Sequence, residues 1–101
     1  RALMRVSLPH QLGREEVRRR LHERHHEIAH FFPPGMADLD TNWRDEDHMD
    51  MVITIVGQEL KGAIDIHDDK VTIEMQLPLA LSFLRGTIER AMKKEGTRLL
   101  R

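Results

Sequence analysis

The sequence predicts an α+β fold of order β-α-β-β-β-β-α, an antiparallel sheet with a long C-terminal helix packed on one face. Three observations carry that expectation. Apolar residues alternate with polar ones from Met49 to Leu77, the period of half-buried antiparallel strands. Two other stretches, 13–32 and 79–95, space their apolar residues by three and four, the period of amphipathic helices. Pro and Gly punctuate the joints between them at Pro9, Pro33-Pro34-Gly35, Gly57, Pro78 and Gly96.

The elements follow in order. Residues 4–8, MRVSL, alternate as a short strand, and Pro9 ends it or confines it to an edge. From Gly13 to Phe32, Val17, Leu21, Ile28 and Phe32 form a helical stripe, with Glu15 and Glu16 near the positive end. Pro33, Pro34 and Gly35 stop that helix, and a further strand is expected around Leu39–Arg44. With Gly57-Gln58 and Asp68-Asp69 as central pairs of two-residue turns, Ile55 faces Leu60, Met51 faces Ile64, Ile66 faces Val71 and Ile64 faces Ile73. The alternating apolar residues Met49, Met51, Ile53, Ile55, Leu60, Ile64, Ile66, Val71, Ile73, Met75 and Leu77 then land on one face. Gly62 sits opposite both Ile53 and Met75, where a missing side chain leaves room for a helix to cross. That helix begins after Pro78: Leu81, Leu84, Ile88, Ala91 and Met92 make its stripe, and Gly96 reads as its C-terminal cap.

The chain has 101 residues, the size of a single domain, 1–101. Sixteen basic residues against 17 acidic ones leave a net charge of -1, so no global field draws in nucleic acid or an anionic membrane. The basic segments, Arg14 with Arg18–Arg20 and Lys93 with Lys94, are interleaved with Glu and read as solvated helix faces. The absence of cysteine excludes disulfides, thiolate catalysis and Cys-type zinc sites. Residues 1–12 lack the apolar core of a signal peptide, and no apolar run approaches the roughly 20 residues that span a bilayer. A cytoplasmic protein without a membrane span is expected.

One motif offers catalysis. His22, Glu23 and His26 spell H-E-x-x-H, in which two histidines on one helix face hold zinc and the glutamate activates a bound water. At about 100° per residue, His22 lies roughly 110° and His26 roughly 150° from the centre of the apolar stripe, so both face solvent. His30 cannot complete the site, because eight residues of helix separate it from His22 by roughly 12 Å of rise. His22 and His26 are therefore the metal candidates of a motif read as inert; no catalytic residue and no cofactor is expected. His25 reads as a boundary residue, while His10, His48 and His67 share no spacing. The acidic run Asp38, Asp40, Asp45, Glu46, Asp47 and Asp50 lacks a calcium-hand pattern and reads as solvated turns. Trp43 reads as an aromatic packed on the sheet or as a ligand platform.

Two groups of apolar residues fall off the predicted core. Leu79 and Phe83 lie away from the stripe of the last helix, and Val52, Val56 and Ala63 fall on the polar face of the sheet. Leu79 and Phe83 are the candidate interaction surface, with a second core contact as the other reading of Phe83.

Taken together, the segments VSLPHQLGREEVRRRL, Trp43 before an acidic hairpin, GQELKGAIDIHDDKVTIEMQLPLAL and GTRLL resemble the polyhydroxyalkanoic acid system family, also described as granule-region proteins. The resemblance covers nearly the whole chain and implies a link to bacterial polyester storage, with no catalytic residues to carry over. It also implies a TBP-like fold, a reduced relative of the helix-grip proteins. Three functions follow for testing: a non-enzymatic accessory protein at the storage granule, binding polyester, a granule protein or a second copy of itself; a carrier of a small hydrophobic ligand; and a zinc hydrolase using HERHH.

Overall fold

The computed structural model describes residues 2–101. Its elements are β1 (Ala2–Pro9), α1 (Arg14–Arg24), a 3-10 segment (His25–Phe31), β2 (Ala37–Asp45), β3 (His48–Ile55), β4 (Gln58–Ile66), β5 (Lys70–Leu77), a second 3-10 segment (Leu79–Leu84) and α2 (Arg85–Leu99). The β-α-β-β-β-β-α order expected from periodicity is the order found. The five strands form one sheet in the order β1-β5-β4-β3-β2, with every neighbouring pair antiparallel. The meander β2 to β5 is contiguous, and β1 closes it by pairing with β5. The chain between β1 and β2 must therefore cross from one edge to the other, which is the work of α1 and the 3-10 segment after it.

One face of the sheet is buried. Met4, Val6, Leu8, Met49, Met51, Ile53, Ile55, Leu60, Ile64, Ile66, Val71, Ile73, Met75 and Leu77 line it, and Val17, Leu21, Ile28, Phe31, Leu81, Ile88 and Met92 cover it. The alternation that predicted the strands is thus the alternation that builds the core.

Four sequence expectations need correction. The first helix does not run to Phe32: it ends at Arg24, whose φ of -123° breaks the spiral, and His25–Phe31 wind as a 3-10 segment. At three residues per turn, Ile28 and Phe31 eclipse and both reach the core, and the extended Phe32 follows them. The first hairpin turns at Val56-Gly57 rather than Gly57-Gln58. Both residues have positive φ, 51° and 73°, as a type I′ turn requires. Ile55 therefore pairs with Gln58, Ile53 with Leu60, Met51 with Gly62 and Met49 with Ile64, two residues from the expected register. A slip of two preserves the face, so the one-sided core survives the error. The second hairpin has the expected register, with Ile66 opposite Val71 and Ile64 opposite Ile73.

Gly62 lies opposite Met51 and Met75, not Ile53. The space above it is filled by the Met51 side chain rather than by a helix: an added Cβ would stand 3.0 Å from Met51 Cε and 2.7 Å from the Glu74 carbonyl oxygen. Gly96 is not a cap. It lies inside α2, buried, where a Cβ would collide with Leu8 Cδ1, so its bare backbone lets α2 close onto β1. The orphan carbonyl of Leu99 at the end of α2 is met instead by the Arg20 guanidinium, at 3.1 Å.

Candidate functional site

The H-E-x-x-H motif straddles the break at Arg24. His22 and Glu23 belong to α1 and His26 to the 3-10 segment, so the histidines are not one turn apart on a continuous α-helix. The His22 ring stacks on Trp43, with centroids 4.2 Å apart and planes at 12°. The Glu23 carboxylate accepts a hydrogen bond from Arg19 at 2.8 Å. His22, His26 and His30 are exposed. Among the described residues, no three His, Cys, Asp or Glu side chains gather as a metal site. Trp43 is a half-buried aromatic on β2, held under the α1 surface by His22.

The two ends of the sheet differ in chemistry. At the end holding the 45–48 and 66–70 turns, charges lock the elements together. Arg14 donates to Asp47 at 2.7 Å and to Asp68 at 2.6 Å, and Arg18 donates to Asp47 at 3.1 Å. Burial works to raise the Asp47 pKa, but the hydrogen bonds from Arg18 and Arg14 outweigh it and hold the carboxyl below the ordinary value. His10, one of the scattered histidines, is structural: its Nδ1 accepts from the Leu12 N–H at 3.2 Å, which leaves Nε2 to donate to the His67 carbonyl at 3.0 Å.

On α1, hydrogen bonds from Arg19 and then Arg20 depress Glu16 from 4.5 to about 2. Depressed carboxyls contribute stability above their unfolded pKa and lose it as pH falls through the folded one. The thermal midpoint should therefore fall as pH drops from 4.5 to about 2, and Glu16→Gln should flatten part of that fall. A melting series against pH checks both; these groups are exposed, so the effect is small.

The opposite end carries exposed apolar side chains among polar ones. Among the described residues, five large hydrophobics are exposed: Leu3 (53%), Met36 (42%), Val56 (65%), Leu79 (78%) and Phe83 (77%). The register places Leu3, Met36 and Val56 at one end of the sheet. Leu3 is opposite Gln76 near the end of β5; Met36 immediately precedes Ala37, the partner of Ile55; and Val56 caps the β3–β4 turn. Leu79 and Phe83 follow β5, on the second 3-10 segment rather than on α2 as the sequence implied. Leu81, between them, is buried and anchors the segment, so its neighbours are turned outward. Val52 and Ala63, the other apolar residues of the outer face, are half-buried.

Two spaces bear on ligand binding. Beneath α2, an apolar space lined by Leu8, Leu21, Phe31, Ile64, Ile73 and Gly96 measures about 20 Å³. Small-molecule sites usually need roughly 300–1,000 Å³. At the same end, Gln58, Glu59, Lys61, Gln76 and Pro78 line a polar cleft of about 260 Å³. Among the described residues, no helix is long and apolar enough to cross a membrane.

Comparison with known proteins adds identity to this geometry. A family model described as "Putative polyhydroxyalkanoic acid system protein" matches residues 4–100. A search of curated proteins finds no match. Among solved structures, DynU16, a protein of the dynemicin biosynthetic locus, aligns with a TM-score of 0.68 at 13% identity, over 97% of this chain and 46% of its own. The chain thus spans less than half of DynU16, and the likeness is one of fold. TTHA0849 from Thermus thermophilus aligns over 98% of this chain and 92% of its own at 11% identity, with a TM-score of 0.37. With residues 4–100 inside the family model, this chain belongs to the polyhydroxyalkanoic acid system protein family, which associates it with polyester storage.

Proposed function

We propose that the chain is a non-enzymatic accessory protein that works in the cytoplasm at the storage granule, attaching through Leu79 and Phe83. The observation that carries this reading is the exposure of those two side chains, more than three-quarters each, on either side of the buried Leu81. Single exposed apolar residues are ordinary, but two large ones on one short segment support a contact surface there. The family's association with polyester storage supports a polyester surface as the partner. On this reading His22 and His26 are surface residues without metal chemistry, the 101 residues act as one domain, and no cofactor is involved. The 20 Å³ space beneath α2 does not favour a carrier of small hydrophobic ligands.

The test is Phe83→Asp in polymer-accumulating cells. Because Phe83 contributes little to the core, circular dichroism and the urea midpoint should stay near wild type. Recovery of the protein with isolated granules should fall about tenfold or more, the loss of one buried aromatic contact. A folded variant that partitions like wild type would overturn the reading.

A further inference from the structure

The sheet has two open edges, and they are finished differently. β1 ends at Pro9, which has no N–H to offer, and the Arg85 guanidinium donates to the Leu3 carbonyl at 3.4 Å. β2 is nine residues long and contains no Pro and no Lys. Among the described residues, no hydrogen bond outside its ladder with β3 reaches the backbone of 38–44. A long edge left unblunted is a template for another strand.

The register shows which groups that template offers. Ile55 and Gln58 flank a two-residue turn and exchange both hydrogen bonds, and the Ile66 N–H donates to the Asp47 carbonyl at 2.8 Å in the same phase. Odd-numbered residues of β3 thus bond β4, and even-numbered ones bond β2. Thr54, Val52 and Asp50 face Asp38, Asp40 and Asn42, so these three hold the ladder. The N–H and C=O groups of Leu39, Thr41 and Trp43 point out of the sheet.

We infer that the partner of this edge is the β2 strand of a second copy, paired antiparallel about a two-fold axis at Thr41. The sequence DLDTNWR, residues 38–44, is chemically self-complementary about that residue. Asp38 faces Arg44 of the copy and Asp40 faces Asn42, all on the exposed side of the strand, and each pair occurs twice. On the core side Leu39 faces Trp43, and these half-buried side chains join the two apolar layers. Among the described residues, Asp38 and Asp40 have no ion-pair partner within the chain. Arg44 holds Asp50 through Nε at 2.8 Å and keeps terminal N–H groups for a second carboxylate. Other centres oppose like charges: Leu39 sets Asp38 against Asp40, Asp40 sets itself against its copy, and Asn42 or Trp43 sets an aspartate against Glu46. The Thr41 register gives about six backbone hydrogen bonds over roughly 24 Å of edge. Neither Leu79 nor Phe83 takes part, so the inference stands independently of the attachment reading.

Sedimentation equilibrium of the full chain over a wide concentration range tests it, since an interface this small is weak. The wild-type chain should dimerise. Asp38→Arg and Arg44→Asp should each weaken dimerisation about tenfold or more, because each sets like charges face to face twice. An equimolar mixture of the two variants should recover the dimer, since each supplies the charge the other lacks. Thr41→Pro removes the central donor while sparing the β2–β3 ladder, and should also give monomers. It serves in place of Arg44→Asp if loss of the Asp50 contact unfolds that variant. Circular dichroism and a urea midpoint near wild type establish that each variant is folded. A wild-type chain that stays monomeric, single variants that dimerise like wild type, a mixture of folded variants that stays monomeric, or a Thr41→Pro dimer overturns the inference.

Discussion

Ile64→Ala is expected to lower the free energy of unfolding by about 2–5 kcal/mol, the range for deleting a large buried aliphatic side chain. Ile64 sits in the central strand β4, buried, between Met49 of β3 and Ile73 of β5. It also lines the 20 Å³ space beneath α2, with Leu8, Leu21, Ile28, Phe31 and Gly96 around it. Contacts come from strands on both sides and from the helical layer above, so collapse around the deleted atoms is restricted and much of the cavity term is retained. A domain of this size has only about 5–15 kcal/mol in total. Urea denaturation checks the loss; a midpoint within error of wild type would mean that Ile64 does not face the core.

Gly62→Val should cost about 1–3 kcal/mol, the usual range for overpacking. Its Cβ would meet a backbone atom, the Glu74 carbonyl oxygen, 2.7 Å away, and backbone cannot rotate aside. The Met51 side chain, which lies over the glycine at 3.0 Å, would have to leave its place as well. β4 and β5 must then part locally, in the middle of the sheet. Amide hydrogen exchange should rise first at Ala63 and Met75; unchanged exchange and stability would show that the close approach at Gly62 is absent.

What could be read from the sequence and what could not divide along physical lines. The buried face of the meander was legible because burial has the period of the strand, and every residue from Met49 to Leu77 votes on it. The β3–β4 register was not, because a slip of two residues moves no side chain to the other face. Only the turn could fix it, and the turn places valine where glycine or asparagine is the usual signal. The 3-10 segments were missed for a related reason: spacings of three and four look alike over seven residues, so the pattern groups Ile28 with Phe32 and passes over Phe31. Gly96 near the end of a helix has the same appearance whether it terminates the helix or lets a strand approach; only the Leu8 contact tells them apart.

The apolar end was half visible. Leu79 and Phe83 stood out by falling off the stripe of a helix. Leu3 and Met36 did not, since nothing local says that β1 pairs with β5 or that β2 starts level with the β3–β4 turn. That residues 3, 36 and 56 share one end of the sheet is a property of strand order, which periodicity does not encode. The histidine motif shows the converse. Its spacing was legible and its meaning was set by a backbone break at Arg24 that no residue type announces.

The central claim is attachment without catalysis, and sedimentation of the wild-type chain with protein-free amorphous poly(3-hydroxybutyrate) particles tests it most directly, with bound protein and released 3-hydroxy acid measured in the same tube. The account predicts saturable binding that survives moderate salt, as apolar contacts do, with acid release at the level of particles alone. Protein left in the supernatant, or acid released in proportion to protein added and abolished by His26→Ala, would contradict it.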